Sequence, residues 1–383
     1  MSGASSDHGT PARTDPGALL AFTREALAAA GLREDLAHSA GRCVWLATMR
    51  GVDSHGVRLL PHYAAGLAGG RLAGDPDVRF TRGGSAVGVL DADHTMGHAA
   101  CAIAMEHAAD MAREAGLGLV SVRNSSHCGA LAAFTLRAAE AGMIGLSATH
   151  ATAKLLSAHG TRPFFGTNPF CVVAPMAGEG PFCFDSAIST ITMNRVYSQR
   201  ETGEPLPAGV AADDEGRVTT DPREAVQLLP IGGYKGFGLS MAVDMLCGVL
   251  AGMPTGRGVS RMFDDPMHEH RLLGQVVAAV RIDAFDGASG EPPWAASGGA
   301  REEAGGGAGS FDERLAALAG EVRREPALDG DRPVLVPGDP EKRTHAERAR
   351  DGVPLPRRTI AALDTLAGRL GIASLTERGA TDG

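Results

Sequence analysis

The sequence predicts an α/β fold whose sheet is mixed, and two observations lead to this prediction. In the middle third of the chain, short apolar runs alternate with segments in which apolar residues recur every three to four positions. Two further apolar runs are joined by a turn rich in Pro and Gly, which indicates a β-hairpin and hence antiparallel pairing. The predicted strands are 86–90, 117–123, 143–149, 170–174 and 181–184, with helices at 99–115 and 129–141.

Amphipathic helices flank this middle third. Near the start of the chain, apolar residues recur from Leu19 to Ala30 and from Leu36 to Ala47, and each pattern ends at a glycine. Two helices are therefore predicted to open the fold. The remaining predicted elements are a long helix at 234–250, helices at 312–324 and 360–370, and a short strand at 333–336.

Two segments are predicted to be disordered. Residues 1–15 are rich in Ser, Gly and Thr without an apolar period, and residues 287–310 are dominated by Gly, Ala, Ser, Pro and Glu. Segments of such composition bury too little apolar surface to offset the entropy that is lost on ordering. We therefore expect a disordered tail and a flexible surface insertion.

Length, charge and cysteine content disfavour several classes of protein. The 383 residues are enough for a substantial core, and 36 basic against 45 acidic residues leave a net charge of −9, which disfavours nucleic-acid binding. No run of about 18 apolar residues could cross a membrane, and no apolar signal sequence is visible. The six cysteines form no CxxC pair, which indicates reduced, mostly buried thiols. We expect a cytoplasmic protein that binds neither membranes nor nucleic acid.

The first candidate site residue is His55, in the segment Asp53-Ser54-His55-Gly56 at a predicted helix-to-helix junction. Ser54 could orient the imidazole, and Gly56 leaves room for a ligand beside it. A histidine held in this way can give or take a proton near neutral pH. In the alternative interpretation, Asp53 or Ser54 only caps the following helix.

Two further segments lie at the start of predicted helices. Residues 124–129 place His127 between a strand and a helix, where α/β proteins present catalytic side chains and backbone N–H groups to ligands. The alternative is a capping turn with a solvated imidazole. Residues 232–238 place Lys235 near the start of the long helix, which suits a phosphate or carboxylate unless the glycines only permit close packing. Neither a Walker A loop nor a GxGxxG fingerprint is present.

Asp185 closes the last predicted strand of the hairpin. A carboxylate at this position could hold a histidine tautomer or a ribose hydroxyl, or it could only cap a turn. No pair of histidines has metal-ligand spacing beside a carboxylate, apart from the segment His268-Glu269-His270, whose acidic composition is typical of a surface loop. The sequence predicts no metal site.

Taken in order along the chain, these segments resemble the malate/L-lactate dehydrogenase type 2 family. This family includes ureidoglycolate, sulfolactate and diketogulonate dehydrogenases and Δ1-piperideine-2-carboxylate reductase. The matching segments are 50–56 with Pro61 and Tyr63, 124–129, 166–169, 184–187, 219–222, 229–239 and 336–341.

The resemblance implies an NAD(P)-dependent oxidoreductase that forms a homodimer. It also implies that the cofactor, NAD or NADP, binds a mostly antiparallel sheet rather than a Rossmann fold. We expect this cofactor-binding domain at 83–332 and a helical substrate and dimer domain at 16–82 plus 333–383.

The family's site residues carry over to this sequence by position. The implied catalytic residues are His55, Ser54, His127 and Asp185, although His127 could instead be the first of the cofactor contacts that follow it. The implied substrate contacts are Arg58 and Thr167. The implied cofactor contacts are His127, Cys128, Gly129, Ala130, Leu131, Asp185, Ser186, Ala187, Lys235, Pro337, Gly338 and Asp339.

The sequence departs from the family's pattern where many members carry a substrate-binding arginine, four residues after the first histidine. Leu59 takes that position, and the neighbouring Arg58 would point about 100° away on a helix. Cys128, His150 and Asn194-Arg195 also stand where Phe, Asn and Gly-Lys are usual. We expect oxidoreduction of a small 2-hydroxy acid and its 2-oxo acid. The alternatives are a cyclic imino acid reductase and a catalytically silent nucleotide- or metabolite-binding paralogue.

Overall fold

The computed structural model describes residues 12–288 and 309–381. The helices are α1 (Pro16–Ala29), α2 (Glu34–Met49), α3 (Leu60–Gly69), α4 (Gly97–Ala115), α5 (Ala132–Glu140), α6 (Met193–Thr202), α7 (Tyr234–Asp244), α8 (Phe311–Arg324), α9 (Asp339–Asp351) and α10 (Arg357–Leu370). The strands are β1 (Ala12–Thr14), β2 (Arg79–Arg82), β3 (Val87–Asp91), β4 (Leu117–Ser125), β5 (Met143–Thr149), β6 (Leu155–Leu156), β7 (Pro163–Phe165), β8 (Phe170–Ala174), β9 (Phe182–Ser186), β10 (Ala211–Ala212), β11 (Val218–Thr219), β12 (Gln227–Leu228), β13 (Leu273–Arg281), β14 (Val353–Leu355) and β15 (Ala380–Thr381). Within these residues, no helix is long and apolar enough to span a membrane.

A seven-stranded mixed sheet forms the centre of the fold, in the order β2-β3-β4-β13-β5-β8-β9. Only β3 and β4 pair in parallel, and the other neighbours are antiparallel. The helices α4 and α5 contribute to the main hydrophobic cluster of this sheet. The predicted α/β class with a mixed sheet is therefore confirmed, and the hairpin predicted at its edge is β8–β9.

Residues from both ends of the chain share a second hydrophobic cluster. Leu19, Phe22 and Leu36 come from α1 and α2, whereas Leu363 and Leu366 come from α10. Each of these side chains is at most 2% exposed. The three helices that the periodicity predicts in these regions are thus held together by their apolar faces.

The disordered tail predicted at 1–15 is wrong for residues 12–15, and residues 1–11 lie outside the described part of the chain. Residues 12–14 form β1, which pairs antiparallel with β14 on one side and β15 on the other. Asp15 then caps α1 by accepting the Ala18 N–H at 2.7 Å. Backbone pairing with strands from the far end of the chain orders this polar stretch, and composition does not reveal such pairing. The predicted insertion at 287–310 lies mostly outside the described residues.

The strand predicted at 333–336 is also wrong. The Val336 N–H donates to Asp339 Oδ2 at 3.0 Å, and the Asp339 N–H donates to the Val336 carbonyl at 3.0 Å. These local bonds close a turn before α9 and occupy groups that a strand would use for pairing. The helix predicted at 312–324 is confirmed as α8. The long helix begins as predicted, and after α7 it continues as a π-helical turn at Met245–Val249.

Candidate active site

His55 lies in the connection between α2 and α3, which consists of two short 3₁₀ turns, Asp53–His55 and Val57–Leu59. Ser54 Oγ lies 2.7 Å from His55 Nδ1, so the neighbouring hydroxyl orients the imidazole. The other ring nitrogen, Nε2, makes no hydrogen bond with a described residue, and the imidazole is largely enclosed by protein but keeps some surface exposed to solvent. This nitrogen is therefore available to a ligand.

The residues beside His55 rule out the capping interpretation. The Asp53 carboxylate does not cap a helix but accepts from both Nη atoms of Arg348 in α9, at 2.6 and 2.9 Å. Gly56 does not make room for a ligand as expected, because a Cβ there would lie 2.1 Å from Thr48 Oγ1. The glycine is needed for the close approach of the turn to α2.

His127 follows β4 and meets His55 at the boundary between the sheet and the N-terminal helices. Tyr63 Oη lies 2.9 Å from His127 Nδ1, and the His55 and His127 rings stack with centroids 5.6 Å apart. The buried His98 lies edge-on to Tyr63, with ring centroids 5.1 Å apart. The fold therefore brings Ser54, His55 and His127 together, and His127 is hydrogen-bonded rather than simply solvated.

Burial keeps the imidazoles of this cluster neutral. It lowers the pKa of His55 to about 4, with a smaller effect from the nearby Arg58 charge. It lowers the pKa of His98 to about 3. The pKa of His127 also lies well below its usual value, because of burial and then because of His55 and His98. At pH 7 the cluster consists of neutral rings, each of which has one nitrogen able to accept a proton.

Asp185 lies in β9, opposite Cys171 of β8, and next to the start of α5. Its Oδ2 accepts a hydrogen bond from the Ala132 N–H at 2.8 Å, so the carboxylate caps that helix. The surrounding protein raises the pKa of Asp185 to about 6, with burial as the largest cause, although the side chain remains accessible to solvent. No hydrogen bond joins Asp185 to His55 or His127, and its described contact is with the helix.

Backbone hydrogen bonds join other predicted contact residues to the end of β9. The Ile188 N–H donates to the Thr167 carbonyl at 2.7 Å, and the Ile231 N–H donates to the Ile188 carbonyl at 3.1 Å. The first bond brings Thr167 beside residues 185–187. The second brings the loop that precedes Lys235 to the same end of the strand.

The glycine-rich start of α7 has room for a ligand. Gly232 and Gly233 have φ values of +59° and +64°, and a Cβ at Gly233 or Gly238 would meet no heavy atom within 4 Å. Gly236 alone among these four packs closely, because a Cβ there would lie 2.1 Å from a backbone oxygen. Lys235 is exposed. Close packing does not explain all four glycines, and the open backbone beside a lysine fits a phosphate group.

The loop before α9 lies against β9. The Cys183 N–H donates to the Pro337 carbonyl at 3.5 Å. Gly338 has a φ of +96°, and a Cβ there would lie 3.2 Å from the Cys183 backbone. The Asp339 carboxylate accepts from Arg323 Nε and Nη2 at 2.9 and 2.6 Å. The loop thus lies next to β9, where other segments predicted to contact the cofactor also lie, but the Asp339 side chain is engaged in an ion pair.

The residues after His127 are buried. Cys128 and Leu131 are each 1% exposed and belong to the main hydrophobic cluster. Gly129 has a φ of +68°, and a Cβ there would lie 2.4 Å from His98 Nε2. The side chains of Cys128 and Leu131 are therefore committed to packing, which leaves them little surface for a ligand.

Leu59, which stands where many family members have a substrate-binding arginine, supplies no positive charge to the site. Leu59 is 7% exposed and packs in the helical cluster. Arg58 is exposed and makes no hydrogen bond or ion pair with a described residue, although its charge lowers the pKa of His55 after the larger effect of burial. Arg58 is therefore close to His55 but not held in place.

Three residues received no role from the sequence: Tyr63 and His98, which belong to this cluster, and Arg271, whose charge contributes to the low pKa of His127 after the larger effects of burial and of the neighbouring histidines. Tyr63 stands in a segment that matches the family, so its spacing from His55 could have identified it. His98 and Arg271 belong to α4 and to the loop before β13. They reach the site only through tertiary folding, and the sequence around them carries no motif.

Comparisons with known proteins agree on one family. The sequence model for malate/L-lactate dehydrogenase matches residues 15–291. The chain is 35% identical over 259 residues to ureidoglycolate dehydrogenase (NAD(+)) of Escherichia coli O157:H7. The aligned region covers 68% of this chain and 74% of that protein.

Solved structures agree with the sequence match. Sulfolactate dehydrogenase from Methanocaldococcus jannaschii superimposes with a TM-score of 0.83 and 25% identity over 95% of this chain and 99% of the other. Δ1-piperideine-2-carboxylate reductase from Pseudomonas syringae pvar. tomato gives a TM-score of 0.79 and 26% identity over 93% and 99%. The chain therefore belongs to the malate/L-lactate dehydrogenase family and is a nicotinamide-dependent oxidoreductase of hydroxy acids.

Proposed function

We propose that the chain interconverts a small 2-hydroxy acid of the malate and lactate type with its 2-oxo acid, using NAD or NADP. The observation that carries this proposal is the stacked pair of neutral imidazoles, His55 and His127, each oriented by a neighbouring hydroxyl. Oxidation of an alcohol needs a group that accepts the hydroxyl proton, and a neutral imidazole is suited to that task.

His55 is proposed as the proton acceptor in oxidation and the proton donor in reduction. Its Nε2 has no partner among the described residues, whereas Nδ1 is occupied by Ser54. Tyr63 is proposed to donate to His127 Nδ1, since burial raises the pKa of the phenol. This bond would leave the proton of neutral His127 on Nε2, from which it could hold the substrate oxygen.

The nicotinamide, when bound, supplies the hydride acceptor or donor. The proposed contacts of the cofactor are the backbone of 127–131, residues 185–187, Lys235 and the loop at 337–339, which are gathered around β9 as described. The open glycine-rich loop beside Lys235 and the solvent-accessible Asp185 support this assignment. Asp185 would accept a ribose hydroxyl while it caps α5, since its carboxylate bonds that helix and no histidine among the described residues.

Two domains are proposed, with the site between them. Residues 83–332 would bind the cofactor on the mostly antiparallel sheet, without a Rossmann fold, and residues 16–82 plus 333–383 would form the helical substrate and dimer domain. Two hydrophobic clusters support this division, because the first draws mainly on residues 83–332 and the second mainly on the two terminal segments. His127 would then come from the first domain and His55 from the second.

A homodimer is proposed, with the outer face of α7 and its π-helical turn as the contact surface. Tyr234, Met241, Met245 and Val249 recur along one side of this element, and each is more than half exposed. An apolar stripe of this kind is typical of an interface. Met245→Glu should produce monomers in sedimentation velocity. As a control, Leu328→Glu, at a fully exposed leucine elsewhere, should leave the dimer intact.

A cytoplasmic location is proposed as well. The six cysteines all lie within the described residues, and each is a buried, free thiol. Unpaired thiols are usual in reducing compartments.

The second candidate function is reduction of a cyclic imino acid. The structural similarity to a Δ1-piperideine-2-carboxylate reductase favours it. The same histidines would then manage a proton at nitrogen rather than at oxygen.

One screen tests both candidates. Oxidation of NADH and NADPH is followed over a panel of 2-oxo acids and cyclic imines, with His55→Ala as the matched inactive variant. We expect turnover of a 2-oxo acid that falls about 10²–10⁴-fold in the variant. Turnover of cyclic imines alone would favour the second candidate, and no turnover of either class would refute both.

A further inference from the structure

Arg271 lies at the same end of the sheet as the histidine pair. Strands β4 and β13 are antiparallel, and their last paired residues at this end are Ser125 and Leu273. His127 and Arg271 each stand two residues beyond that pair. Leu272, between Arg271 and β13, has a φ of +50°, so the chain turns sharply where Arg271 leaves the sheet.

The Arg271 side chain is buried and fixed. The residue is 4% exposed. Its Nε donates to Ser260 Oγ at 3.0 Å, and its Nη2 donates to the Ser260 carbonyl at 2.7 Å and to Thr152 Oγ1 at 3.3 Å. The remaining nitrogen, Nη1, has no hydrogen-bond partner among the residues that the structure describes. Three bonds therefore hold the guanidinium in one orientation and leave one side of it free.

No carboxylate of the described chain neutralises this guanidinium. Asp265 is near enough to be felt as a charge, but its oxygens accept from the Arg261 backbone and side chain at 2.6 and 2.9 Å. Burial is the main cause that lowers the pKa of Arg271 to about 10, followed by the charge of Arg71. A buried cation without an anionic partner is costly, and an anionic ligand would remove that cost.

The positive charge of Arg271 also affects the pKa values of residues in the candidate site. After the larger effects of burial and of the neighbouring histidines, Arg271 contributes to the low pKa of His127, and it acts on His62 and Tyr63 as well. Arg58, by contrast, is exposed and unanchored. Of the two arginines, only Arg271 is both preorganised and desolvated, which is what strong recognition of a carboxylate requires.

We propose that Arg271 binds the carboxylate of the substrate. It would take over the role of the arginine that many family members carry at the position of Leu59. The inference rests on the proposed function and deepens it. It makes the loop 260–272 part of the substrate site, with Ser260 and Thr152 as positioning residues. Recognition then depends on a cation buried under this loop, whereas Arg58 remains a surface charge.

The test compares a 2-oxo acid with its carboxamide, which keeps the reacting carbonyl but lacks the negative charge. In the parent, the acid should be preferred in kcat/KM. In Arg271→Met the preference should fall about 10- to 100-fold, because the charge-assisted bond exists only with the acid. In the control Arg58→Met the preference should change less than about threefold, since an exposed arginine contributes little.

A second pair of measurements keeps the test independent of turnover and of folding defects. Calorimetric titration with oxamate and oxamide, in the presence of reduced cofactor, should show loss of oxamate binding alone in Arg271→Met. The milder double variant Thr152→Val with Ser260→Ala retains the charge and the bond to the carbonyl of residue 260 but removes the other two bonds that orient the guanidinium. It should raise KM for the acid and not for the amide.

An unchanged preference in Arg271→Met, or a collapse in Arg58→Met instead, would overturn the assignment. A parent protein that turns over neither acids nor cyclic imines would refute the proposed function, while oxamate binding would still test Arg271.

Discussion

The low pKa of His55 makes a specific prediction about how the two reaction directions depend on pH. Burial lowers this pKa to about 4, so at pH 7 only about one molecule in a thousand carries a protonated ring. Oxidation uses the neutral imidazole as a base, and its kcat/KM should therefore be flat from about pH 5.5 to 8. Reduction uses the protonated ring, and its kcat/KM should fall about tenfold per pH unit over the same range.

The assay measures kcat/KM in both directions with the preferred substrate pair, in buffers of constant ionic strength. Because oxidation releases one proton, the ratio of kcat/KM for oxidation to kcat/KM for reduction must change tenfold per pH unit, whatever the pKa of His55. The informative result is therefore which of the two directions carries that pH dependence. With His55→Ala, the oxidation rate should drop about 10²–10⁴-fold across the range. If oxidation in the parent instead rises tenfold per unit up to pH 7 while reduction stays flat, the base titrates near or above neutrality, and the reasoning from burial is refuted.

Three further predictions concern cofactor binding, the segment outside the described residues, and acid stability. Lys235→Met should raise the cofactor Kd about 10- to 100-fold, less at high salt, whereas the exposed Arg217→Met should leave it unchanged; fluorescence titration measures both. Deletion of 289–308 should leave the melting temperature and the specific activity near those of the parent, and a large loss of either would show that the segment has a structural role. His98 is buried with a pKa near 3, so the unfolded chain gains its proton first as pH falls below 6.5, and the free energy of unfolding decreases by about 1.4 kcal/mol per pH unit from this residue. Denaturant titrations of His98→Gln from pH 6.5 to 5 should show a slope smaller by that amount, and an unchanged slope would contradict the low pKa.

The sequence predicts those elements whose signal is local. The helices α1, α2 and α10 bury one apolar stripe each, and the 3.6-residue period is therefore visible in the sequence. The hairpin β8–β9 is visible because a turn joins two adjacent apolar runs. Pairing between distant segments has no comparable signal, and so β1 could not be predicted.

The central strand β13 illustrates a second limit. It is buried on both faces, so its run of Val and Ala shows no alternation of apolar and polar residues. No prediction placed a strand there, although it pairs with both β4 and β5. Because Arg271 directly precedes this strand, the same omission hid a residue of the candidate site.

Within the site, chemistry was easier to predict than geometry. Ser54 and His55 are adjacent in sequence, so their hydrogen bond could be expected from residue types alone. The stacking of His55 on His127 depends on how the helices pack on the sheet. The sequence likewise could not reveal that Asp185 caps α5, because the helix is formed by residues more than 40 positions earlier.

The most direct test follows the hydride itself. Reduced cofactor labelled with deuterium at the nicotinamide C4, in each stereochemical form, is incubated with the protein and the preferred 2-oxo acid, and the product is analysed by mass spectrometry. We predict that one of the two labelled forms gives a 2-hydroxy acid one mass unit heavier, with the deuterium on C2. A product that carries no deuterium from either form would contradict direct hydride transfer at this site.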